Sequence, residues 1–502
     1  MKKTLFGVCA LGALMSGGAM AAEFQPMGAL GIGGAGVART FDSHAPYWNP
    51  AGLAFNDKSF SSRIDASVGL KVNDGLADNV DRLSDLNFDT FSKYNAGATS
   101  AQTVTDTIEA LTILGDIKEK KGTLAVDGNA VVGFQIKHFA FGAFGTIEGF
   151  AQPLPDTTNI VPNQDNTSTA ITANQLWSPV AGTAATNPSH VYFSDTQVQQ
   201  IQAALITNNQ LTAVQAQDII NAADARLAGS GISADAATTS LVTLGQTLAS
   251  PGTNTLDNNV SSVRTKSLAY IEFPLSYGHA IPLGSFGTLG IGATAKVISG
   301  RVYQSQTYLL KSGTKVESSD ITRELTKNFK DTTQFGIDLG ALWRPKEWIN
   351  VGIVAKNLNT PEFDAPDVKD KDGNVLVGSG GKVKLKPQVR MGVSFDPLTW
   401  LTLAADVDLT NNETVLESNN YRSRNIGGGF EWHYFSWFKL RGGMYSNIAE
   451  KGIGPTATAG ITFGTKWINL DIDGAYGLDT AKYKDKSYPQ EARVQAQINF
   501  LF

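Results

Sequence analysis

"EARVQAQINFLF", Glu491 to Phe502, closes the chain, and its alternate residues fall into two chemically different sets. Ala492, Val494, Ala496, Ile498, Phe500 and Phe502 form one; Glu491, Arg493, Gln495, Gln497, Asn499 and Leu501 form the other. Successive side chains of a strand point to opposite faces, so the segment reads as a strand with one greasy and one wet face. Its length exceeds the roughly five or six residues of a soluble strand and suits the roughly nine to eleven that cross a bilayer at a tilt.

The same alternation recurs upstream. Runs lie at 59–72, 128–137, 139–150, 263–281, 287–303, 333–344, 348–357, 386–396, 399–409, 421–432, 436–446, 455–464, 467–477 and 491–502, fourteen in all. Short turns (Lys137-His138, Pro282 to Phe286, Pro345 to Glu347, Pro397-Leu398, His433 to Phe435, Gly464 to Lys466) alternate with longer links. Membrane barrels have short periplasmic turns and long outer loops, so this parity puts both ends of the barrel in the periplasm. Trp343, Trp348, Trp400, Trp432, Trp437 and Trp467, six of the eight tryptophans, lie beside short turns, where an aromatic girdle belongs. The fold expected is all-β: a 14-stranded antiparallel outer-membrane β-barrel at 59–502, with long outer loops at 73–127 and 151–262.

Composition agrees. Charged residues make up 17 %, below the ordinary quarter or so, and glycines number 51. Lys2 and Lys3, the apolar run Leu5 to Met15 and Ala19-Met20-Ala21 make a signal peptide at 1–21, with Ala22 as the expected mature start. The single cysteine, Cys9, lies inside it and lacks a lipoprotein cleavage pattern, leaving no thiol or disulfide in the mature chain. The expected location is the bacterial outer membrane.

The second loop is patterned for helices. Ser194 with Gln197, and Thr212 with Gln215, form capping boxes ahead of apolar stripes, and Gly229 is a stop. Leu241, Leu244 and Leu248 repeat the spacing, and Val104, Ile108 and Leu111 make a stripe in the first loop. Mutual packing is the expected fate of these stripes, with the barrel rim or a ligand as alternatives. On the wet face, cations including Arg63, Arg390, Lys439 and Arg441 accompany carboxylates in similar number, so ion pairing across the lumen is the expected state. The functional alternative is that one of those four holds an anionic head group.

Enzymatic and cofactor readings find little. "GIGGAG", Gly31 to Gly36, fits the dinucleotide pattern but lacks the strand and helix of a βαβ unit. The five histidines show no metal-ligand spacing, and no nucleophile elbow is present. No cofactor, metal or catalytic residue is assigned, and the mildly acidic balance gives no reason to expect nucleic acid.

The segment 22–58, ending in "HAPYWNPAGLAF", has no regular strand or helix period. Fourteen strands enclose more volume than wall side chains fill, and this is the only sizeable periplasmic piece able to occupy it. It reads as a hatch, its glycines pressed to the wall, Pro46 and Pro50 fixing bends, and Tyr47, Trp48, Leu53 and Phe55 giving bulk. Gly31, Gly33, Gly34, Gly36, Trp48, Asn49 and Pro50 are its gate candidates.

"GIGGAGVARTFDSHAPYWNPAGLAF" followed by a long β pattern with a terminal Phe resembles the FadL family of outer-membrane transporters for hydrophobic compounds. "GIDLGALWRPKEWINVGIVAKNLNTPEF" and "ADVDLTNNE" are similar to the branch labelled conjugal transfer protein TraF. The resemblance implies a lumenal hatch and a sideways exit by a kinked strand, for which Gly142, Gly145 and Gly149 on the third strand are the candidates. It also implies that Phe502, with Phe500, is the signal read by the barrel-assembly machinery. The leading function expected is passive transport of a hydrophobic or amphipathic small molecule, fatty-acid-like or aromatic, with the helical second loop as capture surface. The rival is a structural barrel of a conjugal-transfer or surface complex. Outer-membrane lipids and the assembly machinery are the expected partners, and a monomer is allowed but not required.

Overall fold

A computed structural model describes residues 23, 25–72, 79, 82–83, 85–86, 93–94, 99–120, 122–164, 169–183, 190–207, 211–249, 254–310, 328–413, 422–449, 454–483 and 486–502. The signal-peptide reading of 1–21 lies outside them. The barrel strands are β1 (Phe60–Val72), β2 (Leu124–Ile136), β3 (Phe139–Leu154), β4 (Ser262–Pro282), β5 (Thr288–Tyr308), β6 (Phe329–Lys346) and β7 (Ile349–Lys356). They continue as β8 (Gln388–Leu398), β9 (Leu401–Asp408), β10 (Asn425–Phe435), β11 (Phe438–Asn447), β12 (Thr456–Gly464), β13 (Ile468–Gly477) and β14 (Glu491–Leu501). Each pairs antiparallel with its neighbours in the chain, and β14 closes the cylinder on β1 with Ile498 opposite Ile64 and Ala496 opposite Ala66.

Alternation decides which face is wet. Ile64, Val297, Phe335, Met391 and Val494 point outward and are exposed, while Asp65, Lys296, Asp338, Arg390 and Arg493 on the same strands point inward and are buried. So large an apolar belt is stable only against lipid, which makes this an outer-membrane barrel. Trp343, Trp348, Trp437 and Trp467 stand half-exposed beside the short turns, and the Trp343 indole N–H donates to the Phe286 carbonyl across one of them at 2.8 Å.

Some strands outrun their sequence patterns. β5 continues to Tyr308 rather than 303 because Gln304, Ser305, Gln306 and Thr307 stand above the membrane, where pairing needs no greasy face. β10 starts at Asn425 rather than 421, since Arg422 and Ser423 pair instead with Glu413 and Asn412 in a small outer hairpin.

Outside the membrane, α1 (Ala101–Lys120), α2 (Asp195–Ile206), α3 (Ala213–Leu227) and α4 (Ala234–Leu248) pack into one helical unit. Both capping boxes form, and Gly229 takes φ 74° just beyond α3. Val104, Ile108, Leu111, Ile201, Ile220 and Leu241 share a single core, so the stripes bury one another. Asp156 ties the root of the unit, accepting from the amides of Thr158 (2.9 Å), Asn159 (3.2 Å) and Val260 (3.1 Å). A second outer piece, the hairpin Glu362–Ala365 with Gly381–Lys384, sends Phe363 among Phe150, Leu268, Ile298 and Val302 on the lumen side of β3 to β5. Among the described residues no helix is long and apolar enough to cross a membrane.

Candidate functional site

The lumen is occupied by residues 25–58, folded as three short turns of helix. Leu30–Ile32 is followed by Gly33 and Gly34, at φ 67° and 72°, a left-handed reversal costly for other residues. Ala45–Trp48 begins with Pro46 in its first turn, and Asn49 caps Pro50–Phe55 by accepting from the Ala51 amide at 3.0 Å. Trp48 organises the piece: its indole N–H donates to the Met27 carbonyl at 2.6 Å, and its ring lies so close over Gly36 that a Cβ there would overlap it. Tyr47 donates to the Gln25 carbonyl at 2.9 Å.

Polar stitches join this body to the wall. The Asn49 side chain, fully buried, donates to the Ala341 carbonyl of β6 at 3.1 Å and to the Val37 carbonyl at 3.3 Å. Asp406 of β9 accepts from the Gly36 and Val37 amides at 2.8 and 3.0 Å. His44 sets its Nδ1 at 3.0 Å from the Arg63 guanidinium, which can only donate, so the proton of a neutral ring sits on Nε2, 2.7 Å from Asp65 Oδ2. Arg63 also reaches Asp42 at 2.5 Å, Arg39 reaches Glu431 at 2.9 Å, and Lys71 reaches Glu23 at 2.6 Å.

The four cations that were head-group candidates all face carboxylates. Arg63 holds Asp42, while Arg390 lies 3.0 Å from Asp408 and 3.4 Å from Asp406 and donates to the Gly34 carbonyl at 3.0 Å. Arg441 sits 3.1 Å from Asp471, 3.3 Å from Asp473 and 3.6 Å from Glu431, and Lys439, partly exposed, is 3.4 Å from Glu431. A cavity between hatch and wall, lined by Glu23, Gly33, Arg390, Glu491 and Arg493 among others, has about 10 Å³, room for about one water. At this place hatch and wall are in close contact.

Sequence reading did not single out the wall's own glycines. Gly278, Gly292 and Gly340 are register partners on β4, β5 and β6. A Cβ on Gly292 would overlap the Pro50 and Ala51 backbone, and one on Gly340 would overlap the Asn49 side chain. The signal was present as glycines at inward-facing positions, legible only once the register is known.

Gly142, Gly145 and Gly149 lie on β3, as expected from the strand boundaries. Gly142 faces Gly133 of β2, and a Cβ on it would overlap the Val132 carbonyl; Gly133 in turn packs under Ser43 of the hatch. On the other side, Phe141 stands opposite Leu275 and Phe144 opposite Glu272 of β4 in one continuous register, which sets Gly142 against Pro274 and Ala143 against Phe273 where the ladder lacks a bond. Pro274 has no N–H to give. The other interruptions between described barrel strands sit at short turns, at Phe395/Leu398, Trp432/Phe435 and Trp343/Lys346. At the C-terminus, Phe502 exchanges backbone hydrogen bonds with Phe60 at 2.9 and 3.1 Å, and Phe500 continues the alternation of β14.

Residues 46–408 match the family model described as F plasmid transfer operon, TraF, protein. No curated protein matches the sequence. Among solved structures, the toluene transporter TbuX of Ralstonia pickettii aligns over 95 % of this chain and 98 % of its own at 12 % identity, TM-score 0.44. The P. putida toluene transporter TodX covers 94 % and 95 % at 11 %, TM-score 0.41, and a Pseudomonas aeruginosa FadL homologue 97 % and 99 % at 11 %, TM-score 0.41.

Proposed function

The chain belongs to the TraF family of the F plasmid transfer operon, and we propose that it is a gated outer-membrane passage for hydrophobic or amphipathic small molecules. The hatch is its gate, and the exit is sideways through the wall between β3 and β4. The observation that carries this reading is the bond missing from the β3–β4 ladder. The register runs through unchanged, but a ladder bond is lost in mid-strand at Pro274, which makes this seam weaker than its neighbours. The seam combines a glycine whose side-chain position is filled by backbone, a proline lacking a donor, and direct contact with the hatch through Gly133 and Phe144. Further outward, the lumen face carries an apolar cluster of Phe150 on β3, Leu268 on β4 and Ile298 and Val302 on β5, packed around Phe363.

A second reading, a plugged structural barrel that presents its helical unit to a partner, draws on the hatch inside the lumen and the paired charges around it. Uptake separates the two. Cells carrying the protein should accumulate labelled long-chain fatty acid or aromatic hydrocarbon faster than cells lacking it, at equal amounts of folded barrel. Equal uptake across the panel with and without the protein would sink the transport reading and leave the structural one.

A further inference from the structure

The lumen face of β14 carries Arg493, Gln495, Gln497 and Asn499 in file, each no more than 3 % exposed. One end of each side chain is accounted for. Arg493 holds Asp127, and Gln495 Oε1 accepts from the Leu30 amide of the hatch at 3.3 Å. Gln497 Oε1 accepts from Arg63 at 3.5 Å, and the Asn499 amide group donates to Asn469 and to Asp471 at 2.6 Å each. The other ends are left over: among the described residues, Arg493 Nε and Nη1, Gln495 Nε2, Gln497 Nε2 and Asn499 Oδ1 are buried with no hydrogen-bond partner.

Acceptors stand opposite the two amide donors without bonding to them. Gln495 is the register partner of Asp473 on β13, and Gln497 that of Asp65 on β1; Asp473 Oδ2 and Asp65 Oδ1 are likewise buried and unbonded among the described residues. A donor and an acceptor that face each other from adjacent strands in a buried place, and do not meet, make the arrangement that a bridging water completes. The hatch brings backbone rather than bulk here, since a Cβ on Gly31 would overlap the Asp473 carboxylate. Both ends of the file continue in polar surroundings. Outward, Arg493 lines the one-water cavity beside Glu491, and a second cavity of about 10 Å³, sharing Asn425, Tyr445 and Glu491 with it, extends to Asn447 at the outer end of β11 and to Gly454. Toward the periplasm Asn499 meets Asn469, and Arg63 reaches Asp42, the last two partly exposed.

We infer that a single file of water runs along this seam between hatch and wall, from the outer loops to the periplasm, so that the protein passes water while the hatch is seated. Alternate residues of a strand stand about 6.7 Å apart, an interval that one or two waters bridge through hydrogen bonds of about 2.8 Å. The leftover groups supply both donors and acceptors along the way, as an oriented chain of waters needs. Fixed charges of both signs flank it, Arg63 and Arg493 with Asp65 and Asp473, which favours neutral water over a cation or an anion. The inference is independent of what else the barrel carries and of whether the hatch opens.

The test uses the full-length protein purified from outer membranes, placed in phospholipid vesicles and followed by stopped-flow light scattering. After a sucrose shock the vesicles should shrink at least about threefold faster than protein-free vesicles, while labelled glucose trapped inside them is retained. Gln495→Leu combined with Gln497→Leu removes both amide donors while keeping most of the bulk, and should return shrinkage toward the protein-free rate at equal amounts of folded barrel. If the double variant does not assemble, the unaltered protein still decides. Shrinkage no faster than in protein-free vesicles would overturn the inference, as would a folded double variant as fast as the unaltered protein. Glucose escaping together with the water would overturn it too, because the path would then run past a displaced hatch.

Discussion

Replacing Asn49 with Ala should open the lumen without unfolding the wall. The side chain makes three hydrogen bonds in a fully buried place, accepting from the Ala51 amide and donating to the Val37 and Ala341 carbonyls. Losing the cap costs about 1 kcal/mol, and a buried polar group left without its partner adds about 1–3 kcal/mol. Together that is about 2–4 kcal/mol taken from hatch docking, or a rise in the open population of about a hundredfold at the middle of the range. None of it falls on the barrel, because the β6 ladder to β5 and β7 is made by backbone groups. In planar bilayers the unaltered protein should be nearly silent and Asn49→Ala should show frequent openings, with unchanged heat-modifiable gel mobility. Asn49→Asp separates the contributions: it keeps the acceptor for Ala51 but turns a carboxylate toward two carbonyl oxygens, so it should open at least as often. Silence from both variants, with the barrel intact, would refute the idea that this residue holds the gate.

Three further outcomes follow from the same geometry. Gly292→Ala, a wall change that leaves the hatch sequence untouched, should reproduce the Asn49→Ala conductance because its Cβ overlaps the Pro50 and Ala51 backbone; a silent variant would mean the hatch can shift to accommodate it. At the root of the helical unit, burial pushes the Asp156 carboxyl up, but the Asn159 side chain and the Thr158, Asn159 and Val260 amides outweigh it and hold the pKa below its ordinary 3.8. Its contribution to stability is therefore complete above about pH 4 and lost as pH falls through the lowered value. Acid proteolysis of the 155–261 segment should rise steeply only below that point, and Asp156→Asn should flatten the rise. Deleting Phe502 removes two backbone hydrogen bonds to Phe60 at the β1–β14 seam and the ring beside it, 6.2 Å from that of Phe60; the yield of assembled barrel should fall, and undiminished yield would count against a terminal assembly signal.

Much of the barrel was legible because the alternation of residues such as Val494 and Gln495 is imposed directly by a two-sided environment, lipid on one face and a wet lumen on the other. Legibility ends where that environment does. Gln304 to Thr307 extend β5 above the bilayer with no apolar partner face to mark them. The site was less legible still. His44 and Asp65 are 21 residues apart in the chain and touch only because the hatch folds back along β1, and Asp406 reaches Gly36 from 370 residues away. Pairings of this kind depend on where a plug comes to rest inside a cylinder, which no local period encodes. Even the glycine row of Gly278, Gly292 and Gly340 carries meaning only across strands, once their register is fixed.

How the hatch is held bears on whether it moves. Its main apolar cluster is largely its own, with Met27, Ile32, Val37, Tyr47 and Trp48 packed together, and the wall contributes Val131, Phe144, Val354 and Ala404. Smaller apolar contacts set Leu30 against Tyr445 and Ala475, Ala51 against Leu342 and Leu53 against Ala140, and polar bonds add Asn49 to Ala341, Asp406 to Gly36 and Val37, and His44 to Asp65. Buried pairs of this kind are expensive to desolvate, and their net stabilisation is small compared with the loss when one partner is removed. They fix position more than they add strength. A plug meant never to leave would gain more from apolar side chains interlocking with the wall, yet at several contacts the wall offers glycines and the hatch offers backbone. If the hatch is the gate proposed above, its movement as a body leaves the barrel ladder untouched, and Ser43 and Phe144 set one flank of that body against the strands where the ladder lacks a bond at Pro274.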